Sequence, residues 1–152
     1  MILRQATQSD YARLHALFSE LVGTIPVIDG PQGQARFAEI LNHPGTEIIV
    51  ADVAGQPVST ATLHVMPNMT FGGRPYALIE NVVTLKAHQG RGLGQAVMKH
   101  AADQAWAANC YKIMLLTGTA LGARGFYEKL GYDGDSKHAM ILRRAPQRQP
   151  LL

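Results

Sequence analysis

Gln89-Gly90-Arg91-Gly92-Leu93-Gly94 places three glycines between an apolar strand-like run, Tyr76–Leu85, and an alanine-rich helical run, Gln95–Ala108. A glycine turn that enters a helix leaves backbone N–H groups unpaired, and the helix dipole adds partial positive charge at the same point. That combination suits a phosphate or pyrophosphate. Spacing separates the common cradles. A G-x-x-x-x-G-K-[ST] loop needs Lys and Ser/Thr after its last glycine, whereas Gln95-Ala96 follow Gly94. A dinucleotide G-x-G-x-x-G begun at Gly90 meets Gln95 where glycine is needed. Begun at Gly92, it meets Val97 where Gly or Ala is needed. What fits is Gln/Arg-x-x-Gly-x-Gly/Ala, as Gln89-x-x-Gly92-x-Gly94.

A second segment, Phe126-Tyr127-Glu128-Lys129-Leu130-Gly131-Tyr132, lies about one βα unit downstream. Phe126 and Leu130 share a helix face, and Gly131 is a natural left-handed helix stop. Tyr127 stands one turn before that stop, where its phenol can project from the helix end. Together the two segments resemble the acetyl-CoA pyrophosphate loop and the tyrosine motif of the GNAT superfamily of N-acetyltransferases. The resemblance implies acetyl-CoA as co-substrate, held by Gln89, Gly90, Arg91, Gly92, Leu93, Gly94 and Gln95, with Tyr127 beside the coenzyme sulfur as the acid for the departing thiolate. It also implies that the backbone of Val82, Val83 and Thr84 pairs with the pantetheine arm, a backbone N–H near Val82 polarising the thioester carbonyl.

Glu80 and Asn81 are the odd residues of the Tyr76–Leu85 run, flanked by Ala77-Leu78-Ile79 and Val82-Val83. Polar groups in a mostly buried strand need partners. One reading makes Glu80 the base that binds the acceptor amine and takes its proton, since a carboxylate withdrawn from water holds a proton more readily. The other makes it a structural hydrogen-bond partner, with Arg74 the nearest candidate. His64 and His88 are weaker candidates for the base, because six histidines in 152 residues make a chance match easy. Within the superfamily the chain is nearest in motif to glucosamine-6-phosphate N-acetyltransferases and to bacterial members of unassigned substrate. That likeness rests on Ile79–Val83, the glycine loop, Cys110–Ile113 and Phe126–Lys129. It implies an acceptor site that includes Glu80, Asn81, Tyr111 and Lys112, and a homodimer. Two positions depart from that pattern: Ala120 replaces a common Asn, and Leu116 replaces an acidic residue.

These residues need elements to hold them. Ile2–Ala6 reads as a first strand, and Thr7–Asp10 as a capping box before a helix with Tyr11, Leu14, Leu17, Phe18 and Leu21 on one face. Gly23–Gly33 reads as loop and Gln34–Leu41 as a second helix. Thr46–Val53 and Val58–Val65 form a hairpin about Ala54–Pro57. Tyr76–Leu85 is expected as the central strand and Gly92–Ala108 as the long helix. Tyr111–Thr117 reads as a strand buried on both faces, Ala120–Leu130 as the motif helix and His138–Arg143 as a last strand. The class is α/β (α+β): a mixed, mostly antiparallel sheet with a splayed parallel strand pair and flanking helices, which is the GNAT order. The domain spans 1–144, with 145–152 a tail.

Composition narrows the functions. An apolar fraction of 47% excludes a disordered chain. No apolar run approaches the ~20 residues that span a bilayer, so no membrane partner and a cytoplasmic location are expected. One cysteine, Cys110, excludes an internal disulfide and is expected to be buried. Charge is uneven, with 4 basic and 7 acidic residues up to Asn81 and 10 basic and 4 acidic after it. The basic half suits coenzyme A. No aromatic residues interleave with it and no binding motif accompanies it, so no nucleic acid is expected. No metal is expected either. The reading is an acetyl-CoA-dependent N-acetyltransferase that acts by direct attack of a small primary amine. Its alternatives are a protein N-terminal or lysine acetyltransferase and a non-catalytic acyl-CoA sensor on the same fold.

Overall fold

The computed structural model describes residues 1–144. The chain forms two compact units, residues 1–115 and residues from 116 on. The expected tail, 145–152, lies outside the described residues.

The first unit is a sheet in the order β1-β2-β3-β4-β5. Its strands are β1 (Ile2–Gln5), β2 (Thr46–Val53), β3 (Gln56–Met66), β4 (Tyr76–Thr84) and β5 (Ile113–Leu115). The first four are antiparallel, and β5 runs parallel to β4. The middle of the sheet is therefore β3, and Tyr76–Thr84 lies one strand outward. Helices α1 (Tyr11–Val22) and α2 (Gly30–Leu41) precede β2, and α3 (Leu93–Ala107) joins β4 to β5.

Alternation along the strands sorts the core into two layers. Ile48 and Val50 of β2 face Leu14, Leu17 and Phe37 from the first two helices. Ile49, Ala61, Leu63, Ala77 and Ile79 lie on the opposite parity, buried like Val97, Met98, Ala101 and Ala105 of α3. One polar cluster is withdrawn from water with them. Arg4 lies 2.7 Å from Asp10 and 2.8 Å from Asp52. The Thr7 backbone N–H donates to Asp10 at 2.8 Å, as the expected capping box requires.

Several elements differ from those expected. The second helix begins at Gly30, not Gln34, because Asp29 caps it by accepting from the Gly30 N–H and Pro31 stands in the first turn, where proline is tolerated. The hairpin turn is only Ala54-Gly55, both at positive φ (54° and 79°), the two-residue form that matches strand twist. The strand expected at Tyr111–Thr117 pairs only over Ile113–Leu115 and is not buried on both faces: Met114 is 37% and Leu116 52% exposed. The strand expected at His138–Arg143 does not form. Met140 and Leu142 are fully open to solvent, so no buried face offsets the loss of chain entropy on pairing.

The second unit carries α4 (Arg124–Lys129), preceded by a single 3₁₀ turn, Thr119–Leu121. The motif helix is thus shorter than Ala120–Leu130, because Gly122 at φ 63° separates the two turns. Its end is as expected. Gly131 stands at φ 90°, and the Tyr132 N–H donates back to the Tyr127 carbonyl at 3.1 Å.

Candidate functional site

The parallel ladder between β4 and β5 covers Ala77–Ile79 against Ile113–Leu115 and ends there. β4 continues to Thr84, with β3 on its other side. Among the described residues, its outer edge from Glu80 onward has no ladder partner, so main-chain donors and acceptors are available to an extended ligand. Thr84 is fixed by its neighbours: its hydroxyl lies 2.7 Å from Ser59 Oγ, and its carbonyl accepts from the Gln89 side chain at 3.0 Å. Val82 and Val83 are half-buried.

A bulge sits in the same strand. Thr62 pairs with Glu80 and Thr60 with Val83, so Ala61 faces both Asn81 and Val82. Asn81 takes the extra residue at φ 54°, a left-handed conformation that Asn tolerates better than most side chains. Through the bulge Glu80 and Val83, three apart, share the face toward α1 and α2. Regular alternation would have put them on opposite faces. The expectation that both polar residues are buried is corrected. Glu80 is half-buried and Asn81 exposed, because the bulge turns Asn81 out of the pleat. Arg74 is not the partner of Glu80, since its guanidinium donates to the Asn109 and Cys110 carbonyls. Cys110 is buried as expected, and burial pushes its thiol pKa up.

The glycine loop follows β4. Lys86–His88 makes one 3₁₀ turn, its first N–H accepted by the Glu20 carboxylate of α1 at 2.7 Å. Gln89 then reaches back to Thr84, tying the loop to the strand end. Gly92 is the helix cap at φ 74°, and Leu93, 6% exposed, anchors the first turn of α3. The first helical bond in the loop runs from the Ala96 N–H to the Gly92 carbonyl, and among the described residues no side chain caps the helix. The N–H groups of Leu93, Gly94 and Gln95 precede that bond and have no partner within the helix. A Cβ built on Gly90 or Gly92 meets no atom within 4 Å. Neighbouring protein therefore does not require these glycines; their conformation and the open space outside the loop do. Arg91 and Gln95 are exposed beside it. These residues fit a pyrophosphate.

At the other end of β4, Tyr111 stacks on Phe71 with ring centroids 4.0 Å apart. Lys112 Nζ lies 5.3 Å from the Tyr111 ring centroid and 5.6 Å from that of Tyr76. Its charge is held over two aromatic faces by cation–π attraction. The Lys112 carbonyl accepts from Ala77 and the Tyr111 N–H donates to Pro75. The pair thus begins β5 where it meets the start of β4, while Glu80 and Asn81 lie beyond the paired segment.

Two polar residues of β3 share the face of Glu80: Thr62, which the sequence reading did not single out, and His64, which it named only as a weaker candidate for the base. Thr62 lies directly opposite Glu80, 3% exposed, its hydroxyl without a partner among the described residues. His64, two residues on, pairs with Leu78. The alternation Thr60-x-Thr62-x-His64 in an apolar strand was the signal available. His64 Nδ1 lies 2.9 Å from Thr46 Oγ1, and burial lowers the pKa of its ring, with Glu80 pulling the other way. His88 Nδ1 is buried without a partner among the described residues.

Tyr127 belongs to the second unit, on α4. Its ring packs edge-on against Phe126 at 5.0 Å and Tyr132 at 6.1 Å. Burial pushes the Tyr132 phenol up to about 12, and among the described residues its hydroxyl has no partner. Arg124 Nε lies 2.6 Å from Glu128 and its NH2 group 2.7 Å from Asp135, bracing α4 against the turn after Gly131.

Among the described residues, no helix is long and apolar enough to cross a membrane. Residues 14–132 match the acetyltransferase (GNAT) family. A solved putative acetyltransferase from Agrobacterium tumefaciens str. C58 is similar at 43% identity and a TM-score of 0.89, covering 94% of this chain and 100% of that one. Glucosamine 6-phosphate N-acetyltransferase of Trypanosoma brucei brucei is 30% identical over 86% of this chain and 87% of its own length. A predicted acetyltransferase with acetyl-CoA from Clostridium acetobutylicum shares the fold at a TM-score of 0.72 and 22% identity, covering 92% of this chain and 95% of that one. With the family match over residues 14–132 and these relatives, the chain belongs to the GNAT family of N-acetyltransferases.

Proposed function

We propose that the protein transfers the acetyl group of acetyl-CoA to the primary amine of a small molecule by direct attack. The observation that carries this reading is the unpaired outer edge of β4 leading directly into a helix N-terminus with free N–H groups. An extended arm that ends in a pyrophosphate matches that sequence of donors. Val82, Val83 and Thr84 would hold the arm. Gln89, Gly90, Arg91, Gly92, Leu93, Gly94 and Gln95 would hold the pyrophosphate. Acetyl-CoA supplies an activated acyl group with a thiol leaving group. The Val82 N–H is the donor for the thioester oxygen. Glu80, half-buried and turned toward α1 and α2 by the bulge, takes the proton of the ammonium so that its lone pair is free to attack. Tyr127 gives the departing sulfur a proton, and the second proton lost by the attacking nitrogen as the tetrahedral intermediate collapses restores its phenol. Glu80, Asn81, Tyr111 and Lys112 are the acceptor contacts. Glucosamine 6-phosphate belongs in the set of candidate amines because a relative bears that name.

The test is a panel of amines (aminosugar phosphates, aminoalkylphosphonates, polyamines, short peptides) with acetyl-CoA, read as released thiol. Thiol release with a small amine supports the reading; acetyl-CoA binding with no release from any amine moves it to the sensor alternative. Once an acceptor is known, Tyr127→Phe should lower kcat by roughly 10–1000-fold with acetyl-CoA affinity nearly unchanged. Glu80→Gln should lower kcat/KM for the amine most at low pH, displacing the profile toward alkaline values. An unshifted profile returns Glu80 to a structural role.

A further inference from the structure

His64 stands between the base and a pocket. On one side, it shares a sheet face with Glu80 on the neighbouring strand, offset diagonally because Thr62 pairs with Glu80 and His64 with Leu78. Such diagonal neighbours are within reach of long side chains. On the other side, it lines a pocket of about 230 Å³ with Arg36, Glu39, Ile40, His43 and Thr46. Thr46 Oγ1 lies 2.9 Å from His64 Nδ1 and 3.2 Å from His43 Nδ1. One hydroxyl cannot donate to both rings, so one ring must donate to it. If His64 Nδ1–H donates to Thr46, and Thr46 donates to His43, then His64 Nε2 keeps its lone pair. Among the described residues, that nitrogen has no protein hydrogen bond.

We propose that His64 carries the proton taken by Glu80 out to solvent in this pocket, with Thr46 and His43 holding its ring in the tautomer that leaves Nε2 basic. The proposal rests on the acetyltransferase reading and supplies a step that reading needs. Acetylation of an ammonium by a thioester releases one net proton beyond the one returned to sulfur. Glu80 holds that proton after attack and must lose it before the next turnover. It passes to His64 Nε2, giving an imidazolium with Nδ1–H still on Thr46. Nδ1 then gives up its own proton through the Thr46 hydroxyl to His43 Nδ1, His43 Nε2 releases one to pocket water, and the two rings return to their starting tautomers by exchange with water. The surrounding charges suit a transient carrier. Burial and the neighbouring His43 hold the ring pKa below the ordinary histidine value, so it is neutral at rest, and the Glu80 carboxylate opposes them. Arg36 and Glu39, the other charged groups of the pocket, are paired with each other at 2.6 Å. His64 is thus a positioning and relay residue, distinct from the base.

Two measurements test this. Nitrogen-detected histidine NMR on the intact chain should show neutral His64 protonated at Nδ1, and Glu80→Gln should move its titration midpoint lower. A neutral ring protonated at Nε2, or a midpoint indifferent to Glu80, overturns the proposal whether or not an acceptor has been found. In kinetics, His64→Asn keeps an N–H near the Nδ1 position for Thr46 and removes the proton carrier. In weak buffer it should lose about tenfold or more in kcat, regained with added imidazole, while wild type ignores imidazole. Thr46→Val should lose part of the rate by releasing the tautomer. A folded His64→Asn that is fully active in weak buffer, or whose loss imidazole does not repair, removes the shuttle alone. Wild type that releases no thiol with any amine removes the acetyltransferase reading and the shuttle with it.

Discussion

Gly92→Val separates what the glycine loop does for the fold from what it does for a ligand. Gly92 stands at φ 74°, and a Cβ there meets nothing within 4 Å, so the variant suffers backbone strain without a clash. Left-handed backbone costs a side-chain-bearing residue about 1–2 kcal/mol, with a β-branched one at the upper end. For a chain of 152 residues each kcal/mol is worth roughly 2–4 °C, so the unliganded variant should melt about 4–8 °C below wild type. Acetyl-CoA at a hundred times its Kd adds about 2.7 kcal/mol to wild type, a gain of roughly 5–11 °C. In Gly92→Val the two methyls stand where the pyrophosphate must approach the Leu93, Gly94 and Gln95 amides, so that gain should vanish. The control is Gly72→Val, a substitution at similar φ (70°) with similar open space. It precedes β4, at the end of that strand away from the loop, and should share the lower melting point while keeping the acetyl-CoA gain. The assay is thermal melting with and without acetyl-CoA. A folded Gly92→Val that retains the full ligand gain would refute the assignment of the loop; two variants that both lose it would show a global effect.

Asp10→Asn should cost about 2 kcal/mol at neutral pH, because it leaves part of the Arg4 charge, beside an 8%-exposed side chain, without its partner. The hydrogen bond from Arg4 holds the Asp10 pKa below the usual carboxylate value. The stability it contributes is therefore present above about pH 4, the unfolded value, and is lost as pH falls through the lower folded value. Urea melts of wild type and variant should converge on acidification; curves that stay parallel to pH 3 would show that Asp10 is not the titrating group. The sequence likeness carried the expectation of a homodimer, and light scattering that returns a monomer mass at every concentration would refute it.

The local signals were legible because they depend on neighbours in sequence. Three glycines between a strand and a helix fix the loop, and Gly131 stops α4 at φ 90°. The order of elements and the family followed from motifs at short spacing. Where the chain's own pattern was ambiguous, the reading erred. Asp29-Gly30-Pro31 reads equally as loop or as a capped helix start, and the structure has the Asp29 cap formed on the Gly30 N–H. His138–Arg143 has the composition of a strand, but pairing depends on burial that composition does not report.

The candidate site shows the same division. The sequence determined that Glu80 and Asn81 interrupt an apolar strand, and that a phosphate-compatible turn follows it. Only the tertiary structure decided that Asn81 absorbs a bulge, because one strand cannot state its register against another. That bulge puts Glu80 and Val83 on one face. Register likewise brings Thr62 opposite Glu80 and sets His64 against Thr46, residues separated by 18 positions in both cases. Hydrogen bonds between β2, β3 and β4 made those neighbours, and a linear sequence carries the residue types without the pairing that turns them into a site.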